Sequence, residues 1–255
     1  MNGVIVNRSS RWNAGRAKAH LSYNKIKPYN EVDVRLLISD FLITISWLWT
    51  AALIKVLTYQ VFNGGEVLRW IIYILSRFLF AWLNNITDGG DHHPLIVIAC
   101  ATPDSLSEFH FGVVLRILVQ VVGSTVGVWQ VRMVFTGDVV GKGPLSNVGI
   151  PRGVLTEGLL SFVLVIGYLG LDHTAPIPFV KICMMSILEL VLDDIGSSLT
   201  GSSMNPAEAF GWAFSRGVHK SKEQVWVYVL APLKATILAI WAFHRVSLQK
   251  KKKRD

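Results

Sequence analysis

The chain has 255 residues, of which 51% are hydrophobic and 16% charged, whereas about 25% of the residues in soluble domains are charged. This apolar excess argues against a water-soluble enzyme. The formal net charge is +8, yet the apolar residues stand in long runs, so we do not expect a nucleic-acid-binding module. Two cysteines, Cys100 and Cys183, cannot build a disulfide framework and lack the spacing of zinc or thiol redox sites.

Basic residues are concentrated at the two ends of the chain. Residues 1–30 contain basic residues and no acidic one, and a basic run extends from Lys250 to Arg254. The first segment lacks the apolar core of a secretory signal, so we interpret it as a solvated basic tail, with a transit peptide as the alternative. Lys and Arg beside the outer spans resist translocation, so we expect both termini on the cytosolic side and an even number of spans.

Six apolar runs are long enough to cross a bilayer as helices of about 20 residues. They lie approximately at 36–61, 67–83, 109–131, 153–171, 179–195 and 224–246. Two shorter runs, 94–101 and 206–214, each begin with a proline, which suits the first position of a helix, and Asn205 is a good N-cap for the second run. The pattern predicts an all-α membrane protein with six transmembrane helices and two re-entrant half-helices.

The two halves of the chain repeat each other in outline. Asp40 near the start of the first span matches Glu157 near the start of the fourth, and the dipeptide at 93–94 matches that at 205–206. An odd number of spans in each half places the halves in opposite orientations, which is an inverted repeat. The predicted domains are a basic N-terminal extension at 1–33, a channel domain at 34–246 with halves at about 34–131 and 153–246, and a basic tail at 247–255.

The half-helices of an inverted-repeat transport protein begin near the midplane of the membrane. A helix N-terminus carries free N–H groups and about half a positive charge, so two facing N-termini repel cations and orient a water molecule by its oxygen. The side-chain amide of Asn205 can bind the same oxygen and interrupt the hydrogen-bonded water chain along which a proton would hop. The pattern predicts a channel for water or a small neutral solute, with no cofactor.

The sequence Ser-Met-Asn-Pro-Ala at 203–207, in this repeat, resembles the aquaporin (major intrinsic protein) family. The basic ends, the degenerate first motif at 93–95 and the string Gly-Lys-Gly-Pro at 141–144 are similar to the plant small basic intrinsic proteins, especially the subgroup whose first motif reads Asn-Pro-Leu. The resemblance implies a homotetramer with one pore per subunit, resident in the endoplasmic reticulum membrane. The pore motifs are then His93, Pro94, Leu95, Asn205, Pro206 and Ala207.

The outer selectivity constriction of the family combines an aromatic residue, a histidine, a small residue and an arginine after the second motif. The matching positions here are Tyr73, Asp193, Ser202 and Glu208, with Asp194 as the alternative to Asp193. Two carboxylates thus replace the histidine and the arginine, which inverts the sign of the charge. This inversion motivates a weakly cation-permeable channel as an alternative, although Arg77, one helical turn after Tyr73, can neutralise one carboxylate.

His93 stands where the family usually keeps asparagine. A neutral imidazole still offers one N–H donor, but protonation would add a positive charge to the pore. We therefore weigh a pH-sensitive constriction against a histidine that turns aside to cap loop backbone. The resemblance also implies that Asp40 and Glu157 accept hydrogen bonds from the backbone of the re-entrant loops. A pore obstructed by His93, Tyr73 and the paired acids would leave a non-conducting structural or regulatory protein, the second alternative.

A metal site or an enzyme is conceivable from the cluster at 88–93, which contains two aspartates and two histidines. The other histidines lack the paired spacing of metal-binding helices, and the sequence has no nucleophile elbow, phosphate-binding loop or HExxH motif. We therefore expect no catalytic residue, no metal and no nucleic-acid partner. Tryptophans at span ends, such as Trp47, are interpreted as interfacial anchors or packing residues.

Overall fold

The computed structural model describes residues 33–101, 106–135, 141, 143–175 and 177–252, with side chains excepted at 106–111 and 248–252. The described α-helices are α1 (Val34–Lys55), α2 (Glu66–Ile86), α3 (Pro94–Cys100), α4 (Leu106–Val134), α5 (Ile150–Thr174), α6 (Pro178–Ser197), α7 (Pro206–Ser215) and α8 (Ala231–Lys252). The helix α1 continues as a π-helical turn, Val56–Val61, and a second π-helical segment, Gln224–Leu230, precedes α8. The predicted extension lies outside the described residues except for Asp33.

The six predicted spans all fall on long helices, and the all-α membrane fold is confirmed. In the part of the chain that is described, four segments are long and apolar enough to cross a membrane: Val34–Val61, Gly112–Val134, Ile150–Thr174 and Gln224–Ser247. The helices α2 and α6, which contain the other two predicted spans, have 21 and 20 residues. The sixth span was expected to end at 246, whereas α8 continues to Lys252.

The surface of the helices is apolar and several buried positions are polar. Each long helix exposes large apolar side chains, among them Leu42, Leu75, Leu118, Leu159, Ile187 and Ile237. By contrast, Asp40, Gln120 and Glu157 are completely buried. Charged residues within membrane spans almost always face the bundle interior, where partners or water stabilise them, so this distribution suits a protein surrounded by lipid.

The two short helices begin in nearly the same way. Pro94 and Pro206 occupy the first turns of α3 and α7, and the preceding residues have φ −117°, ψ 104° at His93 and φ −121°, ψ 102° at Asn205. The Asn205 side chain caps its helix, as predicted, by accepting hydrogen bonds from the N–H groups of residues 207 and 208. His93, by contrast, makes no side-chain cap bond to α3.

Helix packing follows the internal repeat. The helix α1 packs against α4, and the equivalent helices α5 and α8 pack against each other. Each half-helix contacts the opposite half, since α3 touches α5 and α8, and α7 touches α4. Glycines allow these close approaches: a Cβ atom on Gly123 would lie 2.9 Å from the Phe41 carbonyl oxygen, and one on Gly211 would lie 2.8 Å from the Ser124 carbonyl oxygen.

Candidate functional site: a cavity at the half-helices

A cavity of about 440 Å³ lies where the half-helix N-termini meet α1, α2 and α6. His93 and Asn205 line it, and so do all four predicted constriction positions, Tyr73, Asp193, Ser202 and Glu208. The other motif residues, Pro94, Leu95, Pro206 and Ala207, are buried in the first turns of the half-helices. The structure therefore brings the predicted constriction and the motif residues His93 and Asn205 to one cavity.

The loop before α3 is held by a buried ion pair. Asp40 Oδ1 accepts a hydrogen bond from the Asp91 backbone N–H at 2.7 Å, and Arg116 donates to both Asp40 oxygens at 2.6 and 2.8 Å. Arg116 also donates to the Gly89 carbonyl at 2.6 Å. Asp91 in turn accepts from the backbone N–H groups of His92 and His93 at 2.7 and 2.9 Å. This network fixes the direction in which α3 enters the cavity.

Glu157 holds the second loop at the equivalent place. Its carboxylate accepts hydrogen bonds from the Thr200 hydroxyl at 2.6 Å and from the backbone N–H groups of Ser203 and Met204 at 3.1 and 2.9 Å. Met204 has a positive φ of 47°, a conformation that a non-glycine residue keeps only when its surroundings enforce it. Charge-assisted bonds to the loop supply that enforcement.

Asn205 joins the two loops. Its Nδ2 donates to the His92 carbonyl at 3.2 Å, while its Oδ1 accepts from the N–H groups of Ala207 and Glu208. An amide nitrogen carries two N–H groups, so one of them serves the loop and the second remains available toward the cavity that Asn205 lines.

The two histidines before α3 have different environments. The His92 ring is buried and stacks on Trp47 with ring centroids 4.2 Å apart, and its Nδ1 lies 3.5 Å from Asp91 Oδ1. The His93 ring lines the cavity, and its Nδ1 is buried without a hydrogen-bond partner among the described residues. Both histidines line the cavity, and His93 is the more exposed of the two.

Trp47 is part of the cavity wall, although the sequence suggested an interfacial anchor or packing residue. Its Nε1 donates to Glu208 Oε2 at 3.2 Å, and its ring makes an edge contact with Tyr73 at a centroid distance of 6.0 Å. Ser202, which also lines the cavity, donates its hydroxyl to the Leu192 carbonyl at 3.0 Å. The aromatic positions on α1 show no local sequence signal that would separate a pore wall from a packing surface.

Ion pairs between α2 and α6 correct one expectation about charge. Arg77 Nη2 donates to Glu189 Oε1 at 3.0 Å, so it pairs with neither predicted constriction carboxylate. Asp193 instead contacts Arg69 Nη1 at 3.4 Å, and Asp194 contacts Arg69 Nη2 at 3.1 Å from a more exposed position. Sequence reasoning missed Arg69, which stands four residues before Tyr73 on the same helical face.

The charges lining the cavity balance in number. The four predicted constriction positions contribute two carboxylates, those of Asp193 and Glu208, and these were the reason to expect a negative rather than a positive charge at the constriction. The cavity wall also contains one further carboxylate and three cationic side chains: Glu189, Lys55, Arg69 and Arg77. Among the described residues, the cavity lining therefore does not have the negative formal charge on which the cation-permeable alternative depended.

Comparisons with known proteins agree with this geometry. The family model described as Major intrinsic protein matches residues 33–243. The chain is 40% identical to Probable aquaporin SIP2-1 from Arabidopsis thaliana over 217 residues, covering 82% of this chain and 91% of the relative. It is 33% identical to Aquaporin SIP2-1 from Oryza sativa subsp. japonica over 238 residues, covering 90% and 92%.

The fold also matches a solved structure. The X-ray structure of the aquaglyceroporin from Plasmodium falciparum superposes with a TM-score of 0.64 at 16% identity, covering 82% of this chain and 94% of that chain. At this identity the likeness establishes the fold alone. The resemblance to the aquaporin family and to its small basic intrinsic proteins is confirmed by the sequence relatives. The chain is an integral membrane protein and belongs to the major intrinsic protein family.

Proposed function

We propose that water or a small neutral solute crosses the membrane through the central cavity, past His93 and Asn205. The protein is a membrane channel of its family rather than an enzyme. The observation that carries the assignment is the meeting of two half-helix N-termini at one cavity, where the charged lining residues that the structure describes balance in number.

The chemistry of the cavity suits a neutral permeant. The N-termini of α3 and α7 direct partial positive charge toward the cavity, and the Asn205 amide and His93 ring add hydrogen-bonding groups. A neutral molecule exchanges its hydration for these groups, whereas an ion must also lose strongly favourable solvation. The paired wall charges provide both donors and acceptors for such a molecule.

Five finer assignments belong to the same proposal. Tyr73, Asp193, Ser202 and Glu208 form the outer constriction, and Asp40 and Glu157 hold the re-entrant loops in their working positions. The subunits form a homotetramer with one pore each. The protein resides in the endoplasmic reticulum membrane with both termini in the cytosol, an arrangement supported by the basic residues at both chain ends. Residues 1–33 form a cytosolic extension, and 34–246 form the channel domain.

The test is stopped-flow osmotic shrinkage of proteoliposomes that contain the purified full chain. Empty liposomes of the same lipid and size are the control, and the osmolyte is varied among small neutral solutes. We expect faster shrinkage than in empty liposomes, or faster uptake of at least one neutral solute. Rates equal to those of empty liposomes for water and for every solute, in vesicles that contain assembled protein, would contradict the proposed function.

A further inference from the structure

Two layers of ion pairs connect α2 and α6 along the cavity. In the outer layer, Arg69 bridges Asp193 and Asp194 and also binds Glu66 at 2.6 Å. In the inner layer, Arg77 pairs with Glu189. Residues 69 and 77 are eight positions apart on one helix, which is about 12 Å along its axis, so the two layers stand at different depths.

The carboxylate of the inner layer is more enclosed than the carboxylates of the outer layer. The Glu189 side chain is 13% exposed, against 41% and 45% for Asp193 and Asp194, whereas the two arginines, Arg69 and Arg77, are similarly enclosed at 18% and 21%. Glu189 also accepts a hydrogen bond from the Tyr73 hydroxyl at 2.6 Å. The Arg77 and Glu189 side chains both line the cavity.

Aromatic contacts position Arg77 between the predicted constriction and the half-helices. Its guanidinium carbon lies 5.4 Å from the Trp47 ring centroid. The same tryptophan binds Glu208 through its Nε1 and stacks on His92, the residue before His93. Arg77 is therefore a fixed, permanently charged group in the enclosed part of the cavity wall.

We infer that Arg77, on α2, is the specificity-determining cation of this pore and excludes permeating cations from it. The position directly after the second motif, where an arginine would serve this purpose, is occupied by Glu208. This inference deepens the proposed function and rests on the cavity being the permeation path. Arg77 offsets Glu189, so that Glu189 is not an uncompensated carboxylate that would attract a cation.

Among the described lining residues, removing the charge of Arg77 leaves three carboxylates against two cations, Lys55 and Arg69. One unit charge roughly 10 Å from a permeating ion, at an effective dielectric constant of about 20, changes the ion's occupancy by about an order of magnitude. We therefore expect Arg77→Gln to raise sodium conductance at least about tenfold over the wild-type protein.

The experiment measures sodium and chloride currents in planar bilayers and osmotic shrinkage in vesicles from the same preparation. Arg77→Lys retains the charge and should remain at the wild-type current. The double variant Arg77→Gln, Glu189→Gln removes both charges and should return to the wild-type current. Arg152→Gln is the matched control, because Arg152 is exposed and its loss changes the chain charge equally.

Glu189→Gln provides a second route if Arg77→Gln does not reconstitute. It leaves Arg77 without its carboxylate partner and should raise chloride conductance by about an order of magnitude without raising sodium conductance. Unchanged chloride conductance in this variant would overturn the inference.

The outcomes separate this inference from the proposed function. A sodium current in Arg77→Gln that disappears in the double variant supports the inference, whether or not the wild-type protein passes water. Unchanged sodium current in a reconstituted Arg77→Gln variant overturns it, even if water flux establishes the channel. An equal current in Arg152→Gln also overturns it, since the effect would then follow the chain charge rather than the cavity. Absence of water and solute flux in the wild-type protein counts against the proposed function alone.

Discussion

The buried pair of Asp40 and Arg116 should contribute strongly to the stability of the channel. Asp40 is fully buried and the Arg116 side chain is 16% exposed, with hydrogen bonds of 2.6 and 2.8 Å between them. The variant Asp40→Asn retains the shape of the side chain and one carbonyl acceptor for the Asp91 N–H, but it leaves the guanidinium without a charged partner.

Breaking one side of a buried ion pair costs about 3–5 kcal/mol of unfolding free energy. We expect the lower end, about 3 kcal/mol, because Arg116 retains its bond to the Gly89 carbonyl at 2.6 Å. For a domain of 150–250 residues, this corresponds to a fall in Tm of roughly 6–12 °C.

The assay is thermal unfolding of the detergent-solubilised protein, followed by tryptophan fluorescence. The double variant Asp40→Asn, Arg116→Met is the matched control, because replacing both charges of a buried pair is often nearly neutral. It should recover most of the lost Tm. A fall of less than about 2 °C in Asp40→Asn, or a double variant that is no more stable than the single one, would refute the reasoning.

Two further substitutions test the cavity residues. His93→Asn should place a capping oxygen at the start of α3, as Asn205 does for α7, and should raise the unfolding free energy by about 1 kcal/mol. The same substitution should also increase water flux, since the asparagine side chain is smaller than that of histidine. Unchanged Tm and unchanged stopped-flow rates would contradict this expectation. Ser202→Cys should make osmotic shrinkage sensitive to mercury, because residue 202 lines the cavity, whereas the wild-type protein should respond weakly. Equal mercury sensitivity in the Ser202→Cys variant and the wild-type protein would mean that the reactive thiol is not at residue 202.

The spans and half-helices could be predicted because their signals are local. Hydropathy over about 20 residues marks a membrane helix, and a proline at a first helical position marks the starts of α3 and α7. The N-cap role of Asn205 followed from the same local chemistry. The two π-helical segments, Val56–Val61 and Gln224–Leu230, were not predicted, since a one-residue change in helical hydrogen bonding leaves the apolar pattern almost unchanged.

The charge arrangement of the cavity could not be predicted, because it depends on which helices meet. Arg77 and Glu189 are 112 positions apart in the chain, and the local sequence around either residue does not identify the other as its partner. Spacing placed Arg77 one turn from Tyr73, but only the packing of α2 against α6 shows that it pairs with Glu189 rather than with Asp193. Similarly, Trp47 joins the cavity wall through a hydrogen bond to Glu208, which no property of α1 alone predicts.

The most direct test of the central claim is to obstruct the cavity and measure water or solute flux in proteoliposomes. Ala51 lines the cavity, whereas Leu53 on the same helix is 42% exposed on the outside. With Ala51→Trp we predict flux at the level of empty liposomes, and with Leu53→Trp we predict wild-type flux. Wild-type flux in a correctly assembled Ala51→Trp variant would contradict the account, because the permeant would then cross by another path.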